Sequence, residues 1–170
     1  MITATLDTNV LVEYWRNRKN VLFAESLLDL AQQGKIDLAI TSRISADIPD
    51  LPLANRINDL PQLNVQQFGS VFRLDHSSLD GGDVLGSDAF VNVMDSPDNR
   101  FDREGRVKRR PDWKDWDHLH GHYLSGRDVF LTWDRPILEV VSELQQQLGI
   151  VVTTPQEFLD LQTELTKDSQ

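Results

Sequence analysis

The hydrophobic pattern switches repeatedly between short β-like runs and longer stretches with helical spacing. The chain opens with an alternating, β-prone run that stops at Asp7. Apolar residues then recur every three to four positions, as they do in amphipathic helices. Gly34 marks the expected end of the second helix. The elements predicted for this part are a strand at 2–6, helices at 10–18 and 21–33, a strand at 36–40 and a helix at 42–47.

The middle of the chain has a weaker pattern. Prolines interrupt it, although 53–60 has the apolar content of a helix. A small strand or loop is expected at 71–74, and a helix at 83–94. The stretch that follows is rich in proline, glycine and charged residues, which is typical of loops. We therefore expect an irregular inserted region at roughly 96–112.

Strong signals return in the last third of the chain. Pro136 stands at the expected start of a long amphipathic helix, and Gly149 stands at its end. The elements predicted here are a helix at 115–125, a strand at 129–132, a helix at 136–148, a strand at 150–153 and a helix from 155 to about 165. Strands that alternate with helices predict a three-layer α/β/α sandwich with a central, mostly parallel sheet, of the Rossmann-like kind. At this length we expect a single domain over residues 1–170.

The composition is typical of a globular protein, and it excludes several candidate functions. The chain has no cysteine, which excludes a disulfide scaffold, thiol catalysis and zinc sites built on thiolates. No apolar run reaches the ~18 residues that cross a bilayer, and the N-terminus lacks a basic-then-apolar signal. We therefore expect a cytoplasmic protein with no membrane partner. The net charge of −10 argues against a general nucleic-acid-coating protein, because phosphate binding depends on Lys and Arg.

Aspartates stand near the carboxyl ends of the predicted strands. Asp7 follows the first strand, and Asp134 follows the strand at 129–132. Asp47 comes shortly after the strand at 36–40, and Asp117 lies near the start of a late helix. Because parallel strands end at one edge of a sheet, all four would converge on one cleft. Clustered carboxylates need a neutralising cation or proton, and oxygen-only ligands favour Mg²⁺ or Mn²⁺. Each aspartate alone is equally typical of a helix cap or a solvated side chain.

The order of these motifs resembles that of the PIN domains, a family of metal-dependent nucleases that includes the toxins of VapBC-type toxin–antitoxin systems. Three segments carry the resemblance: Leu-Asp-Thr-Asn-Val-Leu-Val at 6–12, Asp-His-Leu-His at 117–120, and Gly-Arg-Asp-Val-Phe-Leu-Thr-Trp-Asp at 126–134. Their order and rough spacing match the family over most of the chain. The resemblance implies a PIN-like sandwich and a Mg²⁺- or Mn²⁺-dependent endoribonuclease.

The resemblance also implies roles for individual residues. Asp7, Asp117 and Asp134 would be catalytic carboxylates that bind the metal. Asn9 and Thr132 would orient an acid or a phosphate.

The middle acid of the family is usually Glu, whereas this chain has Asp47 at the matching place. Asp47 is thus the fourth expected catalytic and metal-binding residue, although its side chain is one methylene shorter. Asp50 is a fallback for this position, and Asp115 is a rival to Asp117.

A basic segment modifies the conclusion from net charge. Residues 100–114 contain seven bases and three acids, for a local charge of +4, which leaves −14 for the rest of the chain. Within it, the residues expected to contact RNA are Arg106, Lys108, Arg109 and Arg110. Such a block beside tryptophans would track a phosphate backbone and stack bases. It is equally typical of a solvated loop or a docking site for a partner.

Three histidines lie on the predicted late helix. His118 and His122 share a face at i, i+4, where they would grip a metal, whereas His120 points elsewhere. No glutamate stands between them in the arrangement of a zincin. The alternative is that they pack on the helix beside the acids and contact substrate or solvent.

The leading hypothesis is therefore a nuclease that hydrolyses RNA phosphodiesters with Mg²⁺ or Mn²⁺. The resemblance extends to toxins that dimerise and are neutralised by a small protein, so a homodimer and a cognate antitoxin are candidate partners. The alternative is a catalytically degenerate PIN-like domain that binds RNA or a protein partner without cutting. A haloacid-dehalogenase-like phosphatase is disfavoured because position 9 is Asn rather than Asp, and a receiver domain lacks its acidic pair and late lysine.

Overall fold

The computed structural model describes residues 1–48, 51–69 and 113–167. Five strands are present in these ranges: β1 Ile2–Leu6, β2 Ile36–Thr41, β3 Val65–Phe68, β4 Val129–Leu131 and β5 Val152–Thr153. The α-helices are α1 Thr8–Trp15, α2 Val21–Gln32, α3 Ile44–Asp47, α4 Leu51–Ala54, α5 Trp113–Ser125, α6 Arg135–Leu138, α7 Val141–Leu148 and α8 Pro155–Lys167. A 3₁₀ helix at Asn55–Asp59 follows α4 directly.

The strands form one parallel sheet with the order β3-β2-β1-β4-β5. In its register, Leu6 at the end of β1 lies between Ile40 of β2 and Leu131 of β4. The last residues of β1 and β4 are therefore level with each other, and β2 extends one residue further, to Thr41. This arrangement confirms the predicted α/β class and its parallel sheet.

Two apolar cores cover the two faces of the sheet, as the side-chain alternation of strands requires. In β4, Val129 and Leu131 belong to the core that contains α1, α2 and Phe158 of α8. Phe130, between them, belongs to the core formed with α5, α6 and α7. The sheet is thus the middle layer of three, and its two faces are both buried.

Some predicted elements differ from the structure for local reasons. The long helix at 136–148 was predicted as one element but is two, α6 and α7, because the chain leaves helical dihedral angles at Val140 (φ −115°, ψ 14°). Val140 and Val141 are consecutive β-branched residues, which weakens a helix at that point. The predicted helix at 10–18 begins earlier, at Thr8, and ends at Trp15.

In the middle of the chain, the hydrophobic periodicity of the sequence predicts the observed elements less well. The stretch at 53–60 divides into α4 and the 3₁₀ helix. The sequence pattern did not predict β3, because only Val65 is buried in this edge strand and two glutamines follow it. The predicted elements at 71–74 and 83–94, and the inserted region at 96–112, lie outside the described residues.

The predicted helix end at Gly149 is present in the structure. Gly149 has a left-handed backbone with φ of 70°, which glycine adopts without steric cost. Its N–H donates to the Gln145 carbonyl, which closes α7 with the single bond of an αL cap, and the N–H of Ile150 donates to the Leu144 carbonyl. Within the described ranges, no helix has both the length and the apolar character needed to cross a membrane.

Candidate active site

Carboxylates from four segments meet at the carboxyl edge of the sheet. A cavity of about 270 Å³ lies there, beyond the ends of β2, β1 and β4. Its lining residues are Asp7, Thr8, Asn9, Val12, Asp47, Lys114, Asp115 and Asp134. Three of the four aspartates expected from the sequence, Asp7, Asp47 and Asp134, therefore line one cavity.

Asp7 is held in place by side chains rather than by the helix that it precedes. It occupies the N-cap position of α1, yet its carboxylate makes no capping hydrogen bond. Instead Oδ2 accepts from Asn9 Nδ2 at 2.8 Å and from the Thr132 hydroxyl at 2.5 Å. Its backbone N–H donates to the Leu131 carbonyl at 2.9 Å, which extends the β1–β4 ladder to the cavity. Helix capping therefore does not explain why an aspartate occupies position 7.

Thr132 joins the two strand-terminal aspartates. Besides donating to Asp7, its Oγ1 accepts from Asn9 Nδ2 at 3.1 Å and from the Asp134 N–H at 2.8 Å. Thr132 is fully buried, so these bonds are shielded from water. The Asp134 carboxylate, in turn, caps α6 by accepting the Ile137 N–H at 3.1 Å. Asp134 thus serves as a helix cap and also lines the cavity.

Both carboxylate oxygens of Asp47 form hydrogen bonds with neighbouring side chains. Arg43, one helical turn earlier, donates from Nε to Oδ1 at 3.0 Å. His118 Nε2 lies 2.5 Å from Oδ2, and the Thr8 hydroxyl donates to the same oxygen at 3.3 Å. The Asp47 side chain retains 13% exposure, toward the cavity that it lines.

The two candidate aspartates of α5 have different surroundings. Asp117 is only 1% exposed, and its Oδ2 pairs with Arg43 Nη1 at 3.3 Å. Asp115 lines the cavity, whereas Asp117 does not. Residues two apart on a helix project about 200° from each other, so only one of them can face the cavity. The geometry favours Asp115 as the helix-borne carboxylate of the site and makes Asp117 the anchor of a buried arginine.

The pKa values in the cluster follow from burial and neighbouring charge. Burial raises the pKa of Asp7, opposed by His118 and the Thr132 hydrogen bond and reinforced by the charges of Asp134 and Asp47. For Asp47 the effect of burial is outweighed by the hydrogen bond and charge of His118 and by Arg43, so its pKa is lowered. Burial acts to lower the pKa of His118, but Asp47 and Asp7 more than compensate, and the net pKa is raised.

The donor set of the cavity has the chemistry that a hard divalent cation requires. All four carboxylates supply oxygen, and the sequence has no thiolate to compete. A cation in the cavity would also relieve the repulsion that contributes to the raised pKa of Asp7. Across residues 1–48, 51–69 and 113–167, however, no three His, Asp or Glu side chains already stand in a metal-binding arrangement. The four carboxylates have the donor chemistry of a magnesium- or manganese-type ligand set, and oxygens of Asp7, Asp47 and Asp134 accept hydrogen bonds from neighbouring groups of the protein.

The three histidines of α5 do not act as one group. His118 bonds Asp47 through Nε2 and lies 2.6 Å from the Thr41 hydroxyl through Nδ1. His122 bonds the Thr5 hydroxyl at 2.8 Å and meets the Phe130 ring edge-on. Both ring nitrogens of His118 are engaged, so the predicted His118–His122 metal grip would have to break these bonds.

Sequence reasoning missed the contribution of Arg43. Long charged side chains are rarely buried, yet Arg43 is 2% exposed because two carboxylates pair with it. Its i, i+4 spacing to Asp47 was a readable signal for one of these contacts. Among the basic residues, Lys114 lines the cavity, whereas the predicted RNA contacts, Arg106, Lys108, Arg109 and Arg110, lie outside the described residues.

Cavity size alone does not locate the site. A larger cavity of about 840 Å³ lies between α2 and α8 and contains one carboxylate, that of Asp29, among mostly apolar and amide side chains. The smaller acidic cavity is distinguished by the convergence of charge at the sheet edge where ligands collect in open α/β folds.

A scan against models of protein families finds no match to this chain, and a search of curated proteins finds none either. What bears on its function is the fold, the acidic cavity and the motifs.

Proposed function

We propose that this protein is a Mg²⁺- or Mn²⁺-dependent nuclease that hydrolyses RNA phosphodiesters, as its resemblance to PIN domains implies. The observation that carries the proposal is the acidic cavity. Asp7, Asp47, Asp115 and Asp134 come from four separate segments and line one cavity at the carboxyl edge of a parallel sheet. Bringing four carboxylates together costs free energy because like charges repel. A function that uses their combined negative charge explains why the fold places them in one cavity.

The side chains of the cavity would have different roles in such a site. Asp7, Asp115 and Asp134 would hold the metal, with Asp47 beside them. When bound, a divalent ion supplies activation of water and neutralisation of charge on the phosphate. Asn9 and Thr132 keep the Asp7 carboxylate turned away from helix capping and toward its neighbours. Lys114 supplies a positive charge at the rim, suited to a phosphate of the substrate.

The choice of RNA rests on the family resemblance, as does the proposed role as a toxin with a cognate antitoxin. The basic segment at 100–114 suits a polyanionic substrate, and it adjoins the cavity in sequence through Lys114.

A degenerate PIN-like domain that binds RNA or a protein without cutting is the second candidate. The observation that favours it is that both oxygens of Asp47 are engaged, one of them by a buried arginine. A carboxylate neutralised in this way is a weaker metal ligand than a free one.

Cleavage of a single-stranded RNA with and without Mn²⁺ tests the proposal. We expect Asp7→Asn and Asp115→Asn to lower the Mn²⁺-dependent rate by about 100-fold or more, because each removes a charge from the ligand set. Asp29→Asn, an acid-to-amide change outside the acidic cavity, is the matched control and should retain wild-type activity.

The outcomes separate the two candidates. Full Mn²⁺-dependent activity in the Asp7→Asn protein would contradict the nuclease proposal. RNA binding by the wild type without any Mn²⁺-dependent cleavage, and without Mn²⁺ binding in calorimetry, would establish the degenerate alternative instead.

A further inference from the structure

We propose that His118 is a positioning residue that sets the orientation of the Asp47 carboxylate in the acidic cavity. This inference rests on the proposed function, because the orientation of Asp47 matters only if the cavity binds a cation. His118 itself does not line the cavity, and it acts through Asp47.

The imidazole of His118 forms a bridge between the sheet and Asp47. Its Nδ1 lies 2.6 Å from the hydroxyl of Thr41, the last residue of β2, and its Nε2 lies 2.5 Å from Asp47 Oδ2. Because a carboxylate accepts, Nε2 is the donor toward Asp47. Thr41 and His118 are 0% and 1% exposed, so packing fixes the bridge at its sheet end and along the ring.

The local backbone of Asp47 explains why such a bridge is needed. Asp47 ends α3, a helix of a single turn that spans Ile44–Asp47. A one-turn helix gains little rigidity from its own hydrogen bonds. Arg43 fixes Oδ1 from the same turn, and its other arm is anchored on Asp117 in α5. His118 holds Oδ2, with the Thr8 hydroxyl 3.3 Å from the same oxygen, so hydrogen bonds to both oxygens fix the orientation of the carboxylate.

Side chains that orient a metal-binding carboxylate affect metal affinity even though they do not bind the metal themselves. Removing one typically costs about 10- to 100-fold in metal affinity or activity. A buried histidine that served packing alone would affect stability without affecting the metal. The two roles therefore predict different results for the same substitutions.

Two amides separate the contacts of His118. Gln places its side-chain N–H₂ near the position of Nε2 and can still donate to Asp47, whereas the shorter Asn reaches only the region of Nδ1 and Thr41. His122→Gln is the matched control, because His122 is on the same helix, is 2% exposed and bonds a threonine, but is not in contact with Asp47.

The experiment measures Mn²⁺ affinity by electron paramagnetic resonance, alongside kcat and KM for RNA cleavage. We expect His118→Asn to weaken Mn²⁺ binding by about 10- to 100-fold. His118→Gln should restore binding to within about threefold of the wild type, and His122→Gln should leave it unchanged. Thr41→Val, which removes the hydroxyl that holds Nδ1 with little change of shape, should weaken binding in the same direction and gives a second test if the Asn variant does not fold.

Each result has a distinct meaning. Wild-type Mn²⁺ affinity in folded His118→Asn or in Thr41→Val overturns the positioning role and leaves the nuclease proposal standing. Equal losses in the Gln and Asn variants also overturn it, because the donor to Asp47 would then be irrelevant. A wild-type protein that neither binds Mn²⁺ nor cleaves RNA overturns both proposals.

Discussion

His122 is buried with its imidazole neutral, so mild acid is expected to destabilise the fold through this one side chain. It is a residue of α5, is 2% exposed, and bonds the hydroxyl of Thr5 in β1. Burial lowers its pKa from the ordinary value of 6.5 to about 4, the charge of Arg127 adds to that effect, and Asp128 opposes it. The perturbation that isolates this effect is His122→Gln, which keeps a polar side chain of similar length and does not titrate.

The direction follows from proton linkage. Between pH 6.5 and 4 the unfolded chain binds a proton at His122 that the folded protein does not, so stability falls as the pH falls through this window. The full shift is worth about 3 kcal/mol, at ~1.4 kcal/mol for each unit of pKa. Between pH 7 and 5.5, only part of the unfolded population is protonated, and we expect a loss of about 1 kcal/mol from His122.

The assay is urea unfolding of both proteins at several pH values from 7.5 to 5.5, above the isoelectric point of about 4.7. Other groups titrate in both proteins, so their contribution cancels in the difference between the two stability curves. The wild type should lose about 1 kcal/mol more than His122→Gln over this range. Curves that stay parallel to within ~0.3 kcal/mol would show that the imidazole is not held neutral by burial, and would refute the reasoning.

Two further substitutions test the buried polar contacts around the site. Asp117→Asn should lower the free energy of unfolding by about 3 kcal/mol, because it removes a carboxylate partner from the buried Arg43; a change below ~1 kcal/mol in urea unfolding would contradict that role. Thr132→Val, which conserves shape, should cost about 2 kcal/mol because it removes the buried hydroxyl that donates to Asp7 and leaves the half-buried N–H of Asp134 without its acceptor. Equal urea midpoints for this variant and the wild type would count against that hydrogen-bond network.

The elements of the fold were largely predictable from local pattern. The first strand, the second helix and the last helix have clear periodicity, and residues such as Gly149 mark their ends through backbone preferences that hold in any context. β3 was not predictable, because an edge strand with one buried residue leaves almost no hydrophobic signature. Its pairing with β2 is decided by the sheet and not by its own sequence.

The candidate site was predictable only as far as topology determines it. Asp7 and Asp134 follow strands, and strands of a parallel sheet end at one edge, so their meeting follows from the order of elements. The choice between Asp115 and Asp117 depends instead on how α5 is rotated about its axis. Trp116 and Leu119 pack into the core with Phe130 and thereby set that rotation.

The sequence by itself determined the α/β class, the absence of thiol chemistry and the delivery of aspartates to one end of the sheet. These are properties of composition, of short-range periodicity and of the order of the elements. Tertiary structure alone decided that Arg43 is buried between two carboxylates and that His118 connects Asp47 to the sheet. The contacts of Arg43 with Asp117 and of His118 with Asp47 and Thr41 join residues more than 70 positions apart, and they exist only because packing brings α3 and α5 together beside β2.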